Sequence, residues 1–229
     1  MIFLFASVAT MGASAQDREQ GMLQNLVNLS ASATVEVAQD WLTLNMTTTR
    51  EGADAGTVQT QLKTALDTAL IEASKASKPG EMEVHTGNFN LRPRYGRDGK
   101  INGWQGSVEL VLEGQDIQRI SQTAGRIQTL TMGQMRFGLS QSQRAKAQSE
   151  AQVLAIENFK SRANEIARGF GFERYSLREV SIQAGNAAEP PRAFMQAKTM
   201  RSSAEDAPVP VEAGKAVVDV SVSGTIQLK

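Results

Sequence analysis

The sequence predicts an α+β fold with mainly antiparallel sheet, and three observations predict it. Near the start, Val27, Leu29, Ala31, Ala33, Val35 and Val37 alternate with Asn28, Ser30, Ser32, Thr34 and Glu36. At the end, Val218, Val220, Val222, Gly224, Ile226 and Leu228 alternate with Asp219, Ser221, Ser223, Thr225 and Gln227. Between them lie segments whose apolar residues recur every three or four positions. Period two marks a strand with one face on a core and one in water, and the longer period marks a helix. A domain over residues 26–229, sewn together by its two ends, is the expectation.

Residues 2–10 (IFLFASVAT) form an apolar run followed by Ala13-Ser14-Ala15. Such a run is too short to span a bilayer, and small residues follow it, so residues 1–15 are expected to be a signal peptide cut after Ala15. The basic stretch that usually opens such leaders is missing. The alternative, a buried strand, fits less well because nothing polar alternates with the apolar residues. Residues 16–25 (QDREQGMLQN) read as a loose mature N-terminus.

The first strand is expected over 26–37. Gln39-Asp40 then turns the chain, and Leu42, Leu44 and Met46 alternate with Thr43, Asn45 and Thr47 in a second strand, so the two should form a hairpin. Leu62, Leu66, Ala69, Leu70 and Ala73 predict a helix over 56–77, stopped by Pro79-Gly80. An extended segment at 82–95, the turn Arg97-Asp98-Gly99-Lys100 and a strand from Ile101 to Glu113 make a second hairpin. In that strand Val108, Leu110 and Leu112 share a face. Asp116 should cap a helix carrying Ile117, Ile120, Ala124 and Ile127. A short strand at 134–139 leads to Ser140, the cap of a long helix over 141–168. Its stripe is Ala147, Ala151, Ala155, Phe159, Ala163, Ile166 and Phe170, ended by Gly169 and Gly171. A strand at 175–183 precedes a loop at 185–213 with Pro190, Pro191, Pro208 and Pro210. Loops of that length within a domain are uncommon and usually functional or disordered. The final strand is expected to pair with the first two, because strictly alternating edges need partners. Two interleaved subdomains, one around each main helix, are a possible division.

Composition narrows function mostly by exclusion. The 24 basic and 24 acidic residues cancel and interleave, so no footprint for nucleic acid is expected. No second long apolar run suggests a transmembrane segment. The chain has no Cys, which removes disulfides, thiol redox chemistry and thiolate metal sites. Roughly two hundred residues can bury a sufficient core without such staples.

The order of elements and several short motifs resemble one family. The stretch "NFNLRPRYGRDGKINGWQGSVELVLEGQD" carries Leu91, Pro93, Tyr95, Ile101, Gly103, Trp104 and Gly106 in an L-x-P-x-Y … I-x-G-(aromatic)-x-(A/G) hairpin. Phe137, Leu139 and Ser140 resemble an F-x-L-S motif, an Ala-rich helix ends in "ARGFGF", and the chain closes in "PVPVEAGKAVVDVSVSGTIQLK". Together these resemble the SIMPL domain family over nearly all of residues 26–229. Ser32-Ala33-Thr34 stands where the family has Gly-x-Gly, and Ala213 where it has proline before Gly214. The resemblance implies a periplasmic protein of largely unknown function. Family members include one linked to oxidative-stress defence and a periplasmic immunogenic antigen that assembles into a large channel-like oligomer. It supplies no catalytic residues.

Individual residues add candidates, each with a plainer reading. His85 is the single histidine, with Glu81 and Glu83 close in sequence. A zinc site needs three or four ligands, so a solvent-exposed or hydrogen-bonded strand histidine is the expectation. Met132, Met135, Met195 and Met200 could absorb oxidants or bind a soft metal, but methionine is also ordinary core filler. Tyr95, Trp104, Arg92, Arg94 and Arg97 could take a planar or anionic ligand; a Tyr95–Trp104 cross-strand pair is the plainer account. No nucleophile elbow, triad signature or phosphate loop is present. No catalytic, cofactor-binding or metal-binding set is therefore expected. The leading reading is a non-enzymatic periplasmic protein of the envelope that self-assembles, through strand edges and the Ala stripe, or binds a partner. The alternative is oxidative-stress defence through methionine.

Overall fold

The computed structural model describes residues 24–185 and 213–229. The expected leader, its cleavage site, most of the N-terminal stretch, the Pro-rich loop, Met195 and Met200 lie outside these residues.

Ten elements follow in order. β1 (Leu26–Ala38) and β2 (Trp41–Gly52) precede α1 (Ala55–Ala76), then come β3 (Glu83–Tyr95), β4 (Ile101–Gly114) and α2 (Ile117–Arg126). β5 (Thr131–Gly138), α3 (Gln141–Gly169), β6 (Tyr175–Ala184) and β7 (Lys215–Leu228) complete the chain. The fold is α+β, and every strand pairing is antiparallel.

The strands form two sheets, one ordered β3-β4-β2-β5 and the other β1-β7-β6. The expected hairpin of the first two strands is therefore corrected: β1 and β2 lie in different sheets. Gln39-Asp40 acts as a corner between them, its N–H groups donating to Gly214 (2.9 Å) and Gly138 (3.0 Å). Period two shows which face of a strand is buried but not which strand lies beside it, so the two patterns read as neighbours. The final strand pairs with β1 alone of the first two, over thirteen residues from Leu26 opposite Gln227 to Ala38 opposite Lys215. Its other neighbour is β6.

The expected second hairpin is present. β3 and β4 are joined at Gly96–Lys100, where the Gly96 N–H donates to the Lys100 carbonyl at 2.8 Å. Each helix begins on a side-chain cap. Asp54 accepts from the Thr57 N–H, Asp116 from the Arg119 N–H and Ser140 from the Gln143 N–H.

α1 and α2 cover one face of the four-stranded sheet. There Leu42, Leu44, Met46, Val108, Leu110 and Leu112 meet Val58, Leu62, Leu66 and Ile120 in a core of large aliphatic side chains. α3 covers the three-stranded sheet differently. Ala151, Ala155, Ala163 and Ala167, with Phe159 as the one large fully buried member, pack on Leu29, Val220, Val222 and Ile226, and Ile156 and Ile166 flank them. Phe170, expected in this stripe, is instead 69% exposed, and Ala167 takes the inward position. The Phe170 N–H closes the helix on Ile166, so its side chain has already left the helical face.

Candidate functional site

β6 is the least covered strand. Its partners on β7 show which way its side chains point: Leu177 lies opposite Ile226, Val180 opposite Gly224 and Ile182 opposite Val222. Ile226 and Val222 face α3. Leu177, Val180 and Ile182 thus stand on the helix-bearing face, yet they are 51%, 46% and 43% exposed. α3 runs over β1 and β7 and reaches too little of β6 to bury them. A one-residue irregularity at Arg178 keeps Leu177 and Val180 on one face although they are three residues apart.

The opposite edge of this sheet is treated differently. Asn158 and Arg162 of α3 donate to the Ser32 and Ser30 carbonyls of β1, at 3.0 and 3.1 Å. Side chains from the helix thereby satisfy part of that edge. Among the described residues, β6 has hydrogen-bonded neighbours on β7 alone. Unpaired edges with apolar side chains invite another strand.

The Ala stripe is not available for assembly, contrary to expectation. Ala151, Ala155 and Ala163 are fully buried against the sheet of their own chain. Small side chains here serve close approach of helix to sheet rather than helix to helix.

The Tyr95–Trp104 pairing is also corrected. Trp104 lies opposite Pro93, and Tyr95 opposite Ile101. Trp104 packs on the aliphatic core, while Arg92 and Arg94 point from the other face. Arg92 donates to Gln105 at 2.9 Å, and Arg94 pairs with Glu51. Strand alternation has separated Trp104 from the Arg92 and Arg94 guanidinium groups, so the candidates do not share one face. The methionines divide by burial: Met46 and Met82 are fully buried, Met135 packs on the core and Met132 is 49% exposed.

His85 sits on the outer, polar face of the four-stranded sheet. Its Nε2 lies 3.2 Å from a Glu113 oxygen and 3.6 Å from a Glu83 oxygen. Glu83 stands directly opposite Glu113 across the β3–β4 ladder. Glu81, close in sequence, has turned away to Lys78 and Arg119. Glu113 was invisible as a neighbour because 28 positions of hairpin separate it from His85; hairpin register counted back from Gly99 would have brought it within two residues.

A half-buried polar junction ties the corners together. Asp40 accepts from the Ser140 N–H (2.7 Å), the Ser140 hydroxyl (2.6 Å) and the Gln115 amide (2.9 Å). Burial works against the charge of Asp40, but the Ser140 and Gln115 hydrogen bonds outweigh it and hold its pKa below the ordinary value. At Asp116 the Arg119 N–H, followed by its guanidinium, does the same. Both carboxylates serve local structure.

No helix among the described residues is long and apolar enough to cross a membrane. The family model described as SIMPL, a protein of unknown function (DUF541), matches residues 27–226. The 26 kDa periplasmic immunogenic proteins of Brucella melitensis biotype 1 and Brucella abortus are each 22% identical to the chain. Each alignment covers 99% of the chain and 97% of the relative. The solved structure of AtUAH in complex with glyoxylate shares 14% identity at a TM-score of 0.24, over 57% of this chain and 34% of that one. A likeness that slight carries no argument.

Proposed function

Because this chain belongs to the SIMPL family, we propose that it is a non-enzymatic periplasmic protein of the cell envelope that acts by self-assembly through the edge of β6 that pairs with no other described strand. The exposed row Leu177, Val180 and Ile182 on an edge strand carries this reading. Pairing of β6 with a second copy would extend the sheet and cover the apolar row beside α3 at once. A periplasmic setting is supported by the printed names of the Brucella relatives and by the leader-like residues 2–15. The assembling surface is carried by backbone edge and aliphatic side chains, which supply contact area rather than reactive groups.

The test is the mass of residues 16–229 by size-exclusion chromatography with light scattering. A discrete oligomer is expected, and Val180→Lys, which places a charge on the edge, should shift it toward monomer. A monodisperse monomer at high concentration overturns the reading. An oligomer indifferent to Val180→Lys moves the interface away from β6.

A further inference from the structure

The geometry points to a divalent-cation site on the outer face of the β3–β4 hairpin, built from Glu83, His85 and Glu113, with a borderline ion such as Zn2+ as its natural occupant. One nitrogen and two carboxylate oxygens make three protein ligands, with the fourth position open to water on this half-exposed face.

The spacing suits such an ion. Zinc holds nitrogen and oxygen at about 2.0–2.1 Å, which sets neighbouring donors of a tetrahedron roughly 3.3 Å apart. The observed separations from His85 Nε2 are 3.2 Å to Glu113 and 3.6 Å to Glu83, and all three donors lie within 4.8 Å of one another. A modest turn of the Glu83 side chain closes the triangle.

The charges are arranged in a way that the fold does not itself account for. Like charges directly opposite each other across a ladder are destabilising, and Glu83 faces Glu113 in that position. Several other surface acids are met by basic side chains: Glu36 by Lys215, Glu51 by Arg94, Glu72 by Lys75 and Arg126, Glu81 by Lys78 and Arg119. Among the described residues no lysine or arginine pairs with Glu83 or Glu113; His85 is the group between them. A bound dication would neutralise the pair where an imidazole alone supplies at most one charge.

One ligand is also held from behind. The Thr43 hydroxyl on β2 donates to the second oxygen of Glu113 at 3.1 Å, leaving the first turned to His85. Partners that orient a ligating carboxylate in this way are a regular part of metal sites. Glu83 and His85, two apart on one strand, share a face through the pleat.

The chain's composition makes the test clean, because His85 is its single histidine and it has no cysteine. Zn2+ is titrated into the protein, purified without a histidine tag, while the lone imidazole is followed by nitrogen-detected NMR and the heat by calorimetry. The expected result is a shift of the His85 Nε2 resonance that saturates at one equivalent. His85→Ala should abolish that binding event, and Thr43→Val should weaken it by about tenfold. Glu81→Gln, outside the trio, should leave it unchanged. An imidazole resonance unmoved by Zn2+, or an isotherm indifferent to His85→Ala, overturns the proposal. Circular dichroism checks that each variant folds. Because this readout does not depend on oligomeric state, the site stands or falls separately from assembly through β6.

Discussion

In the β3-β4-β2-β5 unit, two helices press valine, leucine and isoleucine onto the sheet, whereas in the β1-β7-β6 unit one helix rests on a row of alanines. The first arrangement fills a gap between layers with large side chains. The second nearly closes the gap, with Phe159 as its one fully buried large side chain from the helix. A close-packed interior is felt in both directions, so these two cores should fail in opposite ways: the leucine core by truncation, the alanine core by enlargement. The difference extends to coverage. Two helices span the inner face of the four-stranded sheet. The single helix over the three-stranded sheet secures β1 through Asn158 and Arg162 and leaves Leu177, Val180 and Ile182 of β6 half exposed.

The largest expected effects come from one glycine in each unit. Gly114 has φ +154°, and a Cβ there would sit 2.1 Å from the Glu81 carbonyl oxygen. Gly114→Ala is expected to cost about 4 kcal/mol, from backbone strain and a clash that no rotamer relieves. Gly224 is limited by space alone, its Cβ meeting the Glu179 carbonyl oxygen at 2.3 Å. Gly224→Ala should cost about 3 kcal/mol. Urea denaturation of both variants ranks the units, and equal losses would remove the distinction.

Next come the cores. Leu110→Ala should cost about 3 kcal/mol, the transfer term plus the cavity left between α1 and β4. Ala155→Leu should cost about 2 kcal/mol by prising α3 from the sheet. If Ala155→Leu proves neutral, the alanine stripe is looser than its burial implies.

Asp40 joins the two units, and its loss is a smaller effect. Asp40→Ala should cost about 1 kcal/mol, leaving the Ser140 N–H and hydroxyl to solvent. Its folded pKa lies below the ordinary 3.8, so its contribution is complete above that pH and fades as pH falls through the lower folded value. Melting curves of the two proteins should therefore converge in strong acid; a gap that persists would assign the loss to packing instead. The smallest effect on stability belongs to β6. Val180→Lys should stay within about 0.5 kcal/mol of the parent, since the side chain is half exposed, while changing the assembly state. A large loss of stability would mean that β6 is better covered than its exposure indicates.

Much of the local structure was legible, for reasons seen at particular residues. Asp116 and Ser140 announced helix starts because a short polar side chain before an apolar repeat satisfies the orphan N–H groups of the first turn. Val108, Leu110 and Leu112 announced a buried face by alternating with polar neighbours. What stayed illegible needs two distant segments at once. Asp40 read as a hairpin turn and Ser140 as a cap, and nothing in either neighbourhood indicates that they bond to each other across a hundred residues. His85 showed its strand neighbours but not Glu113, and Leu177, Val180 and Ile182 read as an ordinary strand because exposure depends on how wide a helix covers the sheet.

The sequence by itself determined the α+β class, the alternation that sews Leu26–Ala38 to Lys215–Leu228, the caps, the Gly96–Lys100 hairpin and the resemblance to the SIMPL family. These follow from local rules: period, cap chemistry and turn conformation act over a few residues. The tertiary structure decided that β1 and β2 part into separate sheets, that the Ala stripe is spent inside its own chain, that β6 pairs with β7 alone among the described residues and that three ligand-type side chains meet on one hairpin. Those outcomes depend on which strand lies beside which and on how far a helix reaches, and identical period-two patterns are compatible with many such pairings.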